Sequence, residues 1–245
     1  MADDPRHPGQ PSTSAKAAGA PVERPLRLSE VLAEAIRVYA ERFWAAIGLG
    51  AAFGAVVLLA GLVPELVAIP ILAVAFTVAW AAATRLVAGD SFAEAWSQVA
   101  VRAPSLAVFT VTASLPFALA VRQLFLIVFA VAWLALMGFS IPVAVAERTP
   151  EGLDFVHRLG FGLQRSLRLA RAEYFHAFGV MAALVLVYVF AAGLLVVLLI
   201  GFAENSGGAA LTLVTIVLAP FFFLGFAVLY FDQRARADGR RPAVR

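Results

Sequence analysis

The chain contains no cysteine, which excludes disulfide frameworks, thiolate metal sites and cysteine nucleophiles. Lysine is nearly absent too, Lys16 being the only one among 19 basic residues, and with the abundance of alanine this reads as the codon bias of a GC-rich bacterium. Charge is scarce: 14% of residues carry it, against about a quarter in a typical soluble domain. Histidine occurs three times. His7 and His157 lack partners at metal-ligand spacing, so neither a metal nor any other cofactor is expected. Glu65 and Glu204 fall at hairpin tips without a motif.

What fills the chain instead is hydrocarbon. Hydrophobic residues make up 62% of it and the mean hydropathy is +0.89. Six windows, residues 43–64, 66–84, 103–121, 123–146, 174–203 and 205–231, contain no Asp, Glu, Lys or Arg. About 20 apolar residues rise about 30 Å as a helix, the thickness of a bilayer's hydrocarbon core, so each window predicts a membrane span. Eighteen of the 19 basic residues lie in the termini and in alternate gaps, and Arg122 alone lies on the other side, where snorkelling to the headgroups is expected. By the positive-inside rule both termini face the cytoplasm of a bacterial inner membrane. The same distribution argues against nucleic acid as a partner, because the arginines flank spans rather than forming a stripe on a soluble fold.

Residues 1–25 hold Pro5, Pro8, Pro11, Pro21 and Pro25 among small polar residues and predict a disordered cytoplasmic tail. No apolar signal-peptide core precedes the first span, which is expected to serve as the insertion signal. From Leu28 the apolar residues Leu32, Ala35, Ile36, Tyr39 and Phe43 recur at helical spacing opposite Glu30, Glu34, Arg37 and Glu41, which predicts an amphipathic helix lying in the headgroup layer. Ser91 and Glu94 form a capping box for a second such helix, with Phe92, Ala95, Trp96 and Val99 on its apolar face. A third precedes window five. The pattern is an amphipathic helix followed by a tight hairpin, three times over. RVYAERFWAAIG from Arg37 aligns without gaps on RLARAEYFHAFG from Arg168, and AEAI at Ala33 resembles AEAW at Ala93. Such a repeat is parallel, each unit starting on the same side.

Arg158, Arg165, Arg168 and Arg171 fan across one flank of the third amphipathic helix. Guanidinium groups pair bidentately with phosphate, so these four are candidates for a lipid-headgroup site, set against an ordinary positive-inside flank. Gly50 and Gly54 form a GxxxG, which lets a second helix approach closely within the bundle or between subunits of a homo-oligomer. Ser140 sits in a Gly-x-Ser, but a serine nucleophile needs a histidine within reach, and His176 lies at a different depth. Thr77, Thr110, Thr112, Ser114, Thr212 and Thr215 read as hydroxyls bonding back to carbonyls one turn earlier. Pro70, Pro116, Pro142 and Pro220 mark kinks, or carbonyls opened toward a transported substrate.

Three segments carry a family resemblance: RPLRLSEVLAEAIRVYAERFWAAIG from Arg24, IPVAVAER from Ile141 with LQRSLRLARAEYFHAFGV from Leu163, and AVLYFDQRARADG from Ala227. Together they resemble the bacterial multi-pass glycerophosphoryl diester phosphodiesterase membrane-domain proteins and the related YciC-like group. The resemblance implies a helix before each hairpin and a tyrosine-aspartate-arginine stretch closing the last span, matched by Tyr230, Asp232 and Arg234. Only 14 residues follow Phe231, so the membrane part is expected without the phosphodiesterase activity.

The expected fold is all-α and polytopic, with six transmembrane helices as three hairpins, each preceded by a cytoplasmic-side amphipathic helix. Residues 26–232 form the membrane domain and 233–245 a basic cytoplasmic tail. The expected role is non-enzymatic, binding membrane lipids or organising a membrane partner protein or a second copy of the chain. A small-molecule or lipid transporter with Pro70, Pro142 and Pro220 along its pathway is the alternative.

Overall fold

The computed structural model describes residues 25–147, 154–200 and 207–239. The N-terminal tail before Pro25, Arg148, His7, Glu204 and the AENSGG turn up to Ser206 lie outside the described residues, as does the chain beyond Gly239. Within them six stretches are long and apolar enough to cross a membrane: Phe43–Ala60, Glu65–Val87, Ala103–Ala120, Ile127–Ala146, Tyr174–Leu199 and Ala209–Gly239. The fold is an all-α bundle of six spans in three hairpins.

Helix α1 (Leu28–Glu41) leads into the hairpin α2 (Phe43–Ala60) and α3 (Glu65–Val87). Helix α4 (Phe92–Val101) leads into a third span built from α5 (Ala103–Phe109), a π-helical turn (Thr110–Ser114) and α6 (Leu115–Arg122). The fourth span joins α7 (Ile127–Met137) to α8 (Ser140–Ala146). Helix α9 (Phe155–Ala172) then precedes the hairpin α10 (Tyr174–Ile200) and α11 (Gly207–Gly239). In all three units a single residue separates the amphipathic helix from its span: Arg42, Arg102 and Glu173. Arg42 and Glu173 are also the residues that the sequence alignment of the first and third units places opposite each other.

Helix α11 is the centre of the bundle, packing on α1, α2, α3, α9 and α10. Its Phe222, Phe223 and Phe226 meet Phe53 of α2, Phe76 and Trp80 of α3 and Phe117 of α6, with ring centroids 5.0–6.4 Å apart. Edge-to-face and tilted pairs of this kind add to the burial of the rings themselves. The helix does not end with the apolar window; it continues through Asp232 and Gln233, both fully buried, to Gly239.

Prolines write the local geometry. Pro220 has no N–H to offer the carbonyl of Ile216 one turn back, and α2 approaches at that carbonyl: a Cβ on Gly50 would lie 2.0 Å from the Ile216 oxygen. Gly54, one turn on, faces Thr212 and the Ile216 side chain. The GxxxG therefore packs inside the chain, against α11. Pro116 likewise leaves the carbonyl of Thr112 without its helical donor. The π-helical turn lies there, and Trp133 of α7 donates its indole N–H to that oxygen at 2.5 Å.

Helix α1 differs from the surface-lying helix its periodicity suggests. Leu26 meets Asp232 and Arg236, while the Tyr39 hydroxyl reaches the carbonyl of Val217, so α1 runs antiparallel beside α11. Its buried stripe is Val31, Ala35 and Val38, and Leu28 and Ile36 face outward. The apolar arc is wide, and α11 takes only one edge of it. Helix α4 carries the capping box: Glu94 accepts the backbone N–H of Ser91 at 2.9 Å, and Ser91 accepts that of Glu94. Gly89, at φ 111°, makes the turn from α3 into α4, a conformation that disfavours any side chain.

Candidate functional site: a basic pocket on the arginine-rich side

The ends of the helices on the arginine-rich side are knitted by three polar networks. In the first, Asp232 accepts from the Leu26 backbone at 2.6 Å and Arg236 Nε at 2.9 Å, with His176 Nε2 at 3.1 Å; Arg236 also pairs with Glu173 and donates to the Leu26 carbonyl. In the second, Glu147 accepts from Arg165 Nε at 3.0 Å and from the Tyr230 hydroxyl at 3.1 Å, while Arg165 also faces Asp238 at 3.6 Å. In the third, Arg85 pairs with Asp90 at 2.7 Å and Arg42 donates to the Asp90 carbonyl at 2.6 Å. The networks join α1, α2, α3, α8, α9, α10 and α11, and each buried charge in them meets its opposite, as burial requires.

The four arginines of α9 do not act as one cluster. Arg165 is largely buried in the second network; burial alone would lower its pKa, and the hydrogen bond and charge of Glu147 overcome this and raise it. Its guanidinium is thus committed to a carboxylate. Arg168 and Arg171 are exposed. Arg158 lines a pocket. His157, the other ionisable group at this end of α9, pairs with Asp154, whose carboxylate caps the helix by accepting the His157 N–H at 3.1 Å.

That pocket, of about 220 Å³, lies between the α4–α5 junction, α8 and α9, and it holds a residue that the sequence reading passed over, Arg102. Arg102 occupies the junction position held by Arg42 in the first unit and Glu173 in the third. Those two are engaged with Asp90 and Arg236. Arg102 donates only to the Gln98 side chain, at 2.5 Å, and forms no ion pair among the described residues. Its pKa is lowered by burial and by the charge of nearby Arg85, with the charge of Asp90 acting in the opposite sense. A partly buried guanidinium bonded to a neutral amide alone keeps donors to spare for an anion. Arg158 and Ser105 complete the polar wall, and Phe109, Val143 and Leu159 the apolar one. Gly162 admits the Phe109 ring, since a Cβ there would stand 2.6 Å from it.

The sequence does carry a sign of this. Arg102 has no acidic residue within seven positions on either side, whereas Arg37, Arg42 and Arg85 each have one within five. Elsewhere, Ser140 and His176 stay apart: Ser140 donates to the Met137 carbonyl at 2.7 Å, and His176 belongs to the Asp232 network. Thr77, Thr110 and Thr215 donate to the carbonyls of Ala73, Leu106 and Leu211. Among the described residues no three His, Asp or Glu side chains converge as a metal site. What the pocket can do chemically is hold an anion between two guanidinium groups while its apolar wall takes hydrocarbon. No family model, curated protein or solved structure matches the chain.

Proposed function

We propose that the chain is a non-enzymatic, multi-pass protein of a bacterial inner membrane that binds anionic phospholipid of the cytoplasmic leaflet in the pocket between α4–α5 and α9. The observation that carries this reading is Arg102, a partly buried cation that forms no ion pair among the described residues and lines one pocket with Arg158. Depth supports it. Arg102 immediately precedes the third span, where a lipid phosphate would lie, and Phe109 sits about 10 Å deeper, where an acyl chain begins. The arginine bias supports the cytoplasmic placement of both termini, and an anionic leaflet adds about 1 kcal/mol of attraction per basic residue at its surface.

The test is lipid retention. Purified from membranes containing phosphatidylglycerol and phosphatidylethanolamine, the protein retains phosphatidylglycerol through native mass spectrometry. Arg102→Gln loses it, whereas Arg168→Gln, on the exposed flank, does not. Equal retention by both variants, or retention of the two lipids in proportion to their abundance, refutes the assignment.

A further inference from the structure

A second cavity lies deeper in the bundle, toward its arginine-poor side, and has a different chemistry. It measures about 370 Å³ and takes its walls from α2, α3, α6, α7, α10 and α11, so all three hairpins contribute. We propose that it is a binding site for a single hydrocarbon chain, such as the acyl chain of a lipid or a free fatty acid.

Its lining is apolar except for two hydroxyls, Tyr188 and Thr215. They are few. Thr215 gives its proton to the Leu211 carbonyl at 2.8 Å, and Tyr188 lines the cavity beside it. Two hydroxyls, one with its proton committed, are too few to hold a water, which needs two to four polar partners, or to recognise a polar solute. A cavity of this size and lining is either empty, forfeiting the dispersion contacts of its walls, or filled by something equally apolar. The medium around the bundle at this depth is hydrocarbon.

Shape and access favour a chain over a compact molecule. Along α11 the lining runs from Leu211 to Phe223, about 18 Å of helix rise. The end toward the arginine-rich side is stopped by packed rings, with Phe76 and Phe223 centred 5.3 Å apart and Phe222 and Phe226 4.2 Å apart. One wall comes from α10, the least buried of the six spans, and includes Val189, which is also exposed on the outer surface of the bundle. The cavity thus adjoins the lipid through its thinnest wall. The site stands independently of the Arg102 pocket, from which it shares no lining residue.

The experiment uses the full chain in detergent with a palmitate analogue bearing a terminal diazirine, irradiated and mapped by peptide mass spectrometry. Label on Phe117, Phe222 or Phe223 that disappears with excess unlabelled palmitate, while label on outward-facing Phe190 persists, supports the site. Ala192→Phe, which fills the cavity from the α10 wall, then loses the inner label and keeps that on Phe190. Label confined to Phe190 and Leu194, or inner label that excess palmitate does not displace, overturns the proposal. The competition in the unmutated protein decides the matter even if the filled variant does not fold.

Discussion

Asp232, fully buried near the end of the last span, accepts the backbone N–H of Leu26 at 2.6 Å, joining residues 206 positions apart. The carboxylate also holds Arg236 Nε at 2.9 Å, and Arg236 returns to the Leu26 carbonyl. Both backbone polar groups of one residue, Leu26, just before α1, are therefore fastened to α11. A buried carboxylate so placed holds the two ends of the domain together, and its removal leaves the Leu26 amide without an acceptor and Arg236 with Glu173 as its one carboxylate partner among the described residues.

Asp232→Leu is expected to destabilise the fold by about 2–4 kcal/mol, because the partly buried Leu26 amide loses its acceptor and Arg236 keeps only the partly exposed Glu173 as a carboxylate partner among the described residues. Asp232→Leu combined with Arg236→Met is expected to cost less than Asp232→Leu alone. Unfolding midpoints of the purified protein in mixed micelles check both, and equal losses in the two variants contradict the account in which Arg236 is left under-paired.

The second network separates two arginines that the sequence presents as equivalents. Arg165→Gln removes the buried partner of Glu147 and is expected to cost about 3–5 kcal/mol. Arg168→Gln, on an exposed position, is expected to stay within about 0.5 kcal/mol of the parent. The same unfolding measurement distinguishes them.

Gly50 and Gly54 are expected to differ as well. A methyl group at Gly50 meets the Ile216 backbone oxygen, which cannot move without moving α11, and overpacking of this kind costs about 1–3 kcal/mol. At Gly54 the nearest atom is Ile216 Cγ1 at 3.0 Å, the side chain of a residue that can shift. Gly50→Ala should therefore lower the melting temperature more than Gly54→Ala.

The start of α9 carries a pH dependence of known sign. The Asp154 pKa is lowered by its hydrogen bonds to the His157 side chain and backbone, with Arg158 assisting. A depressed folded-state pKa means that the cap's contribution is present above the ordinary value of 3.8 and is lost as pH falls through the depressed one. Hydrogen exchange at the amides of His157 and Arg158, corrected for intrinsic rates, should accelerate below about pH 4 in the parent and be fast at every pH in Asp154→Ala.

How far these features could be read in advance depended on the range of the interaction. The six spans, the three leading helices and the Ser91–Glu94 cap were legible because each is written in a continuous stretch, through hydropathy, periodicity or a four-residue motif. The buried edge of α1 was not legible, since periodicity finds an apolar arc without saying which part of it protein covers. Arg165 and Arg168 looked alike because their difference is made by Glu147, 18 residues from Arg165. The carbonyl of Thr112 was legible as a consequence of Pro116; its partner Trp133, 21 residues on, was not. Arg102 had a visible peculiarity, its distance from any acid, which acquired meaning once the three junction residues could be compared.

The central position of α11 has a consequence for biogenesis. It emerges from the ribosome after every other described element, and yet α1, α2, α3, α9 and α10 all pack on it. Until it arrives, the glycine face of α2 and the backbone polar groups of Leu26 wait without their partners, either against lipid or in the care of the insertion machinery. Part of the bundle, such as α3 on α8 and α7 on α10, can pack earlier, but a nascent chain that stalls before α11 has five inserted spans without their common partner.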